Sequence, residues 1–421
     1  MATSSDEATA RRLDAEDPLT RFRDRFHLPA GPDGPLIYLC GHSLGLMPKA
    51  AGPMVEQELR DWATMGVEGH FHAGHPWYAY HEGFRESAAT LVGARPGEVV
   101  MMNGLTVNLH LMMTSFYRPT PARHQILVEA PAFPSDHYAV QSQLVHHGFG
   151  TEEGLIWARP RPGEDTLRTS DIEAVLERRG GDVALMLLSA VNFHTGQLLD
   201  VPRLAAAAKR AGAVAGFDLA HAAGNVPLSL HDWDVDFAVW CSYKYLNAGP
   251  GAVAGCFVHE THGKSRLPRL AGWWGNDPAT RFRMHLEETF VPQDGAQGWQ
   301  LSNPPILSFA PLRASLDLFD EAGMPALRAR SERMTAYLEQ LVHAISSRRL
   351  VQLTPRDPAA RGCQLSLRVT AEARGLFDRL RTAGVVCDFR EPDVIRVAPV
   401  PLYNTFHELW RFGRILAEAL A

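Results

Sequence analysis

The sequence of 421 residues predicts an α/β protein, with a large domain on a mostly parallel sheet and a smaller α+β domain after it. Three observations predict this. From about residue 80 to 260, short apolar runs alternate with helical stretches, which is the pattern of βαβ units. Residues 270–305 are rich in Gly, Trp, Pro and Asn, the mark of a long loop region with a functional role. Beyond them the chain reads as helix over 308–341, broken near Gly323-Met324-Pro325, and then as short strands and a last helix.

In order along the chain, residues 1 to about 30 read as a polar arm leading into a short helix. Residues 36–40 follow as a strand, closed by the tight turn Gly41-His42-Ser43-Leu44-Gly45. Apolar runs rich in Val, Ile, Leu and Phe place strands at 99–102, 125–129, 183–188, 214–217, 237–241 and 252–258. A further strand is expected at 363–369 and the final helix from about Phe406. The expected division is an N-terminal arm and segment over 1–60, a large domain over 61–307 and a small domain over 308–421.

The chain is 46% hydrophobic and 21% charged, an ordinary globular composition with enough apolar surface for a sizeable core. A net charge of −6 with interspersed signs argues against nucleic-acid binding. The five cysteines are scattered, with no C-x-x-C spacing, as befits reduced thiols. No run approaches a membrane span, and the first residues lack the apolar core of a signal peptide, so a cytoplasmic protein away from membranes is expected.

The chemistry centres on the run 235–241, an apparent buried strand that delivers Lys244 to the turn Asn247-Ala248-Gly249-Pro250-Gly251. Desolvation at such a position favours the neutral amine that a covalent cofactor anchor needs. Upstream, the strand at 214–217 ends in Asp218. Open α/β sheets bind ligands at the carboxyl ends of their strands, so this acid and this lysine can converge. That is the pair pyridoxal phosphate requires: the amine anchors it and the carboxylate pairs with the pyridinium nitrogen. Taken singly, a surface lysine and a helix-capping aspartate are commoner.

Other residues fall at the same ends. Asn103-Gly104-Leu105-Thr106 joins a strand to a helix start, where free N–H groups and the helix dipole favour a phosphate. Phe133 and the following Pro134, Ser135 and Asp136 come after another strand, and Phe133 could stack on a cofactor ring, although a core Phe is the commoner fate. Ser189 closes the strand at 183–188. His221 stands three residues after Asp218, on the same side if a helix begins there. Tyr243 adjoins Lys244, where a phenol could bond a phosphate or assist proton transfer.

Five stretches together resemble the kynureninase family: Asn103 to His110, Phe133 to Tyr138, Phe217 to Ala222, Cys241 to Asn247 and Arg396 to Asn404. The similarity runs in order from about residue 36 to the end. It implies a fold-type-I pyridoxal phosphate enzyme, a homodimer with active sites shared between subunits. The implied reaction, in tryptophan and kynurenine metabolism, hydrolyses the Cβ–Cγ bond of a kynurenine to an anthranilate and L-alanine.

By that resemblance Lys244 anchors the cofactor, Asp218 meets the pyridinium nitrogen and Phe133 covers the ring. Leu105, Thr106, Pro134, Ser135, Asp136, Ser189, His221 and Tyr243 complete the pocket, with Trp273 and Asn303 reaching in from the loop region. Arg396 is similar to the family arginine that grips the substrate α-carboxylate, a task suited to a bidentate guanidinium. Ser43, His70, Ser302 and Asn303 match substrate-side positions, and those at His70, Ser302 and Asn303 accompany a preference for 3-hydroxykynurenine. One departure stands out: the family turn usually reads Gly-Asn-Ser-Leu-Gly, and His42 replaces the Asn.

Three other readings compete. A cysteine desulfurase or aminotransferase of the same fold keeps Lys244 and Asp218 but not the Arg396 segment. A metal-dependent hydrolase on His70, His72 and His75 lacks a carboxylate or Cys partner at standard spacing, so no metal is expected. A non-catalytic regulator needs a DNA-binding module that the sequence does not offer.

Overall fold

A computed structural model describes residues 6–32, 34–265, 267–345 and 347–421. The large sheet has seven strands: β1 (Val99–Met102), β2 (Gln125–Glu129), β3 (Leu155–Ala158), β4 (Val183–Ser189), β5 (Val214–Asp218), β6 (Phe237–Trp240) and β7 (Ala254–Val258). Their order is β1-β7-β6-β5-β4-β2-β3. β7 runs antiparallel to both neighbours and the remaining pairs are parallel, so six strands point one way.

Both faces of this sheet are covered, which is why its strands are continuous apolar runs without polar alternation. Val99, Met101, Leu127, Met186, Leu188, Ala238 and Trp240 belong to the core on one face. Val100, Met102, Ile126, Val128, Leu185, Leu187 and Val239 belong to the core on the other. The strand period of two distributes neighbours to opposite sides.

α1 (Leu105–Phe116) and α2 (Pro134–His146) follow β1 and β2. After the loop region come α3 (Ile306–Ala322) and α4 (Met324–Ala344), divided at Gly323, whose φ of 75° suits glycine. A second, antiparallel sheet is built from β8 (Leu350–Gln352), β9 (Leu365–Val369), β10 (Asp388–Arg390) and β11 (Val394–Val397), in the order β8-β9-β11-β10. Leu365, Leu367, Ile395 and Val397 pack against Met334 and Leu338 of α4 and against Leu409 and Phe412 of α5 (Phe406–Leu420). Arg396 alternates with Ile395 and Val397 and therefore faces away from that core.

The structure departs from the sequence expectations at several points. The N-terminal helix lies at Glu7–Ala15, inside the stretch 1–30, and residues 1–5 fall outside the described residues. The run at 36–40 forms only a two-residue strand, Ile37–Tyr38, paired with Val385–Val386. β3 was not anticipated, because Leu155–Ala158 is short and follows directly on the one-turn polar helix Thr151–Gly154. The segment after Asp218 is a series of turns and not a helix, so the helical spacing of Asp218 and His221 does not apply.

Candidate active site

Five strand ends meet at one cavity of about 140 Å³. β1 leads into Asn103 and Gly104, and α1 begins at Leu105 with no side-chain cap bond, which leaves its first turn suited to an anion. Thr106 Oγ1 lies 3.1 Å from Ser135 Oγ and so ties this helix start to that of α2, where Pro134 takes the first position. β2 ends in Glu129, and Phe133 beyond it places its ring centroid 5.5 Å from Lys244 Nζ.

β4 ends in Ser189, whose N–H donates to both carboxylate oxygens of Glu129 at 3.1 Å and whose hydroxyl donates to the same group. β5 ends in Asp218, whose Oδ1 accepts the N–H of Ala220 at 2.5 Å. β6 leads on to Tyr243 and Lys244. The sequence contains four lysines, and this is the buried one. Lys49 is exposed, while Lys209 and Lys264 pair at the surface with Asp234 and Asp294.

Carboxylates crowd the floor of the cavity. Burial pushes the Asp136 carboxyl well up, and neighbouring Asp218 pushes it the same way, while Lys244 opposes both. Burial lifts Glu129 to about 7 against the hydrogen bonds from Ser189. Oδ1 of Asp136 and Nδ1 of His221 are buried without partners. Burial, then the charges of Lys244 and Arg396, keeps the His221 imidazole neutral. These features fit pyridoxal phosphate: an acid floor for a cationic ring nitrogen, an uncapped helix start for a phosphate, an aromatic cover and a buried amine.

Leu105, Thr106, Phe133, Ser135, Asp136, Ser189, Asp218, His221, Tyr243 and Lys244 all line this cavity. Pro134 is not among the lining residues and takes the first position of α2, between Phe133 and Ser135, which are. Val191, Phe193 and Glu129 were missed by the sequence reading. Glu129 left one signal, an acid closing an apolar strand. The other expected residues lie outside the cavity. Ser43, Ser302 and Asn303 are exposed, Trp273 packs edge-on to Trp274 at 4.8 Å, and His70 contacts the Val67 carbonyl at 3.0 Å. Arg396 is fully buried, with Nη1 donating to the Phe193 carbonyl at 2.6 Å and its guanidinium paired with Asp388.

His70, His72 and His75 turn to three separate partners, Val67, Glu68 and Glu58. Among the described residues the trio close enough to hold an ion is Glu98, His231 and His259, where Glu98 already accepts from His231 and from the N–H groups of Arg95 and Glu260. Among the described residues no helix is long and apolar enough to cross a membrane.

Geometry of this kind belongs to the fold-type-I class of pyridoxal phosphate enzymes. A cysteine desulfurase from Escherichia coli matches the fold with a TM-score of 0.78 at 17% identity, over 96% of this chain and 98% of that one. A C-DES mutant solved with glycine covalently linked to its PLP cofactor matches with a TM-score of 0.75 at 17% identity, over 90% and 96%. Residues 327–416 match the kynureninase C-terminal domain. A kynureninase from Myxococcus xanthus is 58% identical over 412 residues, 97% of this chain and 96% of that one. The chain belongs to the kynureninase family and is a pyridoxal phosphate-dependent hydrolase of carbon-carbon bonds. The desulfurase likeness is one of fold alone, and the desulfurase and aminotransferase readings give way to the family match.

Proposed function

We propose that the chain hydrolyses the Cβ–Cγ bond of 3-hydroxykynurenine in preference to kynurenine, as a homodimer with sites drawn from both subunits. The observation that carries the shared site is the division of its residues. The cofactor side is gathered in one cavity of one chain, whereas His70, Trp273, Ser302 and Asn303 lie outside that cavity. Trp273 and Asn303 of the partner subunit complete the pocket in this reading. Polar groups at Ser302 and Asn303 that bond a ring hydroxyl penalise the analogue lacking it.

Bound pyridoxal phosphate supplies an electron sink for bond breaking beside the substrate amine. Asp218 holds the proton on the ring nitrogen, and the helix starts at Leu105, Thr106 and Ser135 hold the phosphate. Lys244 Nζ would anchor the cofactor and, as the buried amine of the cavity, would move the proton at the substrate Cα. Burial, with Cys241 and the carboxylates of Asp218 and Asp136 nearby, raises the Tyr243 phenol, so it keeps its proton and serves as the acid at the departing carbon. Arg396 receives the α-carboxylate.

We also take 61–307 as the cofactor-binding unit, 308–421 as the smaller unit and 1–60 as the N-terminal segment. A cytoplasmic setting is supported by five unpaired cysteines. The test is turnover of both substrates by purified holoenzyme, following the two anthranilates and alanine. The reading expects the higher kcat/KM for 3-hydroxykynurenine; a higher value for kynurenine overturns the preference, and cleavage of neither overturns the substrate class.

A further inference from the structure

Arg396 does not wait with an open guanidinium. It forms an ion pair with Asp388 across the antiparallel register of β10 and β11, so a carboxylate of the chain itself already meets Nη2 of the guanidinium, while Nε keeps no hydrogen-bond partner. Asp388 is held a second time by Arg390, at 3.1 Å from Nη2. The same oxygen that meets both arginines, Asp388 Oδ2, lies 3.5 Å from His42 Nε2, beyond a good hydrogen bond.

His42 is completely buried, yet neither ring nitrogen has a hydrogen-bond partner. Buried polar groups are nearly always satisfied, so two open nitrogens at one site call for a role. The turn that carries the imidazole is fixed against the active centre. Gly45 N–H donates to the Tyr243 carbonyl at 2.8 Å, and a Cβ on Gly45 would lie 2.3 Å from the Lys244 carbonyl oxygen. The groups facing His42 are Arg396, Arg390, Asp388, Lys244 and His221, and burial with the three cations keeps the ring neutral. A neutral imidazole carries one N–H to give.

We propose that Asp388 is a built-in stand-in for the substrate, displaced from Arg396 by the incoming α-carboxylate and received by His42, which rests on the reading of Arg396 as the α-carboxylate group. No bond is made or broken: one carboxylate replaces another on Arg396, and the displaced one keeps Arg390 and gains the imidazole N–H. The exchange keeps the buried guanidinium paired when the site is empty and gives the part-buried carboxylate a second partner beside Arg390 when it is full. Asp388 and His42 are positioning residues, and the His-for-Asn departure in the turn gains a function.

The test uses holoenzyme and two readouts, calorimetric binding of L-alanine and KM for the kynurenines. With Asp388→Asn the competitor loses its charge, so the L-alanine Kd and the KM both fall about fivefold. With His42→Ala the displaced acid loses its second partner, so both rise, while the same change in the Asp388→Asn background alters neither. His42→Asn, which restores an N–H donor, recovers most of the loss. A rise in Kd with Asp388→Asn, equal effects of His42→Ala in both backgrounds, or no L-alanine binding in any form overturns the exchange. Because L-alanine binding needs no turnover, the two readings fail separately: the alanine pattern without cleavage of a kynurenine sinks only the substrate class.

Discussion

The carboxyl edge of the large sheet and the loop region over 270–305 differ in how they reach the active site. At the sheet edge, Asp218, Ser189 and Lys244 are fixed by parallel strands buried on both faces, so their side chains meet in one cavity of one chain. In the loop region, Trp273 is half-buried and Asn303 exposed, and neither lines that cavity. The cofactor-side residues are brought together within one chain, while those assigned to the substrate ring need the partner subunit of the proposed homodimer.

Several changes break or sharpen this contrast. The largest effect is expected from Lys244→Ala, which removes anchor and base together and lowers turnover at least about a thousandfold. Initial rates with added pyridoxal phosphate measure it, and substantial residual turnover would move the chemistry to another residue. Asp218→Asn keeps the shape but loses the charge beneath the ring, with an expected loss on the order of a hundredfold or more in kcat.

Asn303→Ala is expected to lower kcat/KM for 3-hydroxykynurenine about tenfold, the value of one lost hydrogen bond to a buried group. Mixing this variant with Lys244→Ala sharpens the comparison. If the two residues serve one site from opposite chains, hybrid dimers rebuild an intact site and the mixture exceeds the average of its parents several-fold. Activity at the average would place both residues in one chain.

The smallest effect concerns Glu129 in cofactor-free protein. Folded, its carboxyl holds its proton up to about 7; unfolded, it releases it near 4.5. Between these values the folded state binds more protons, so stability declines as pH rises through that window, by about 3 kcal/mol at most. Glu129→Gln flattens this part of the profile, which urea midpoints from pH 5 to 8 measure.

What was legible in the sequence follows the same divide. Lys244 and Asp218 could be read because each closes a continuous apolar run, and such a run both predicts its strand and marks its end. His221 was placed by assuming a helix where the chain makes turns, and Glu129 passed as the last residue of a strand. The Asp388 partner of Arg396 was out of reach, since the pairing depends on cross-strand register and not on spacing along the chain. Positions 70, 302 and 303 were named by resemblance alone, because no local pattern marks an isolated polar residue as a substrate contact.

The most direct test of the account is borohydride reduction of the holoenzyme followed by peptide mass mapping. With four lysines in the sequence, the outcome is decisive. The account predicts a phosphopyridoxyl group on Lys244 and on no other; label on Lys49, Lys209 or Lys264, or none at all, would contradict it.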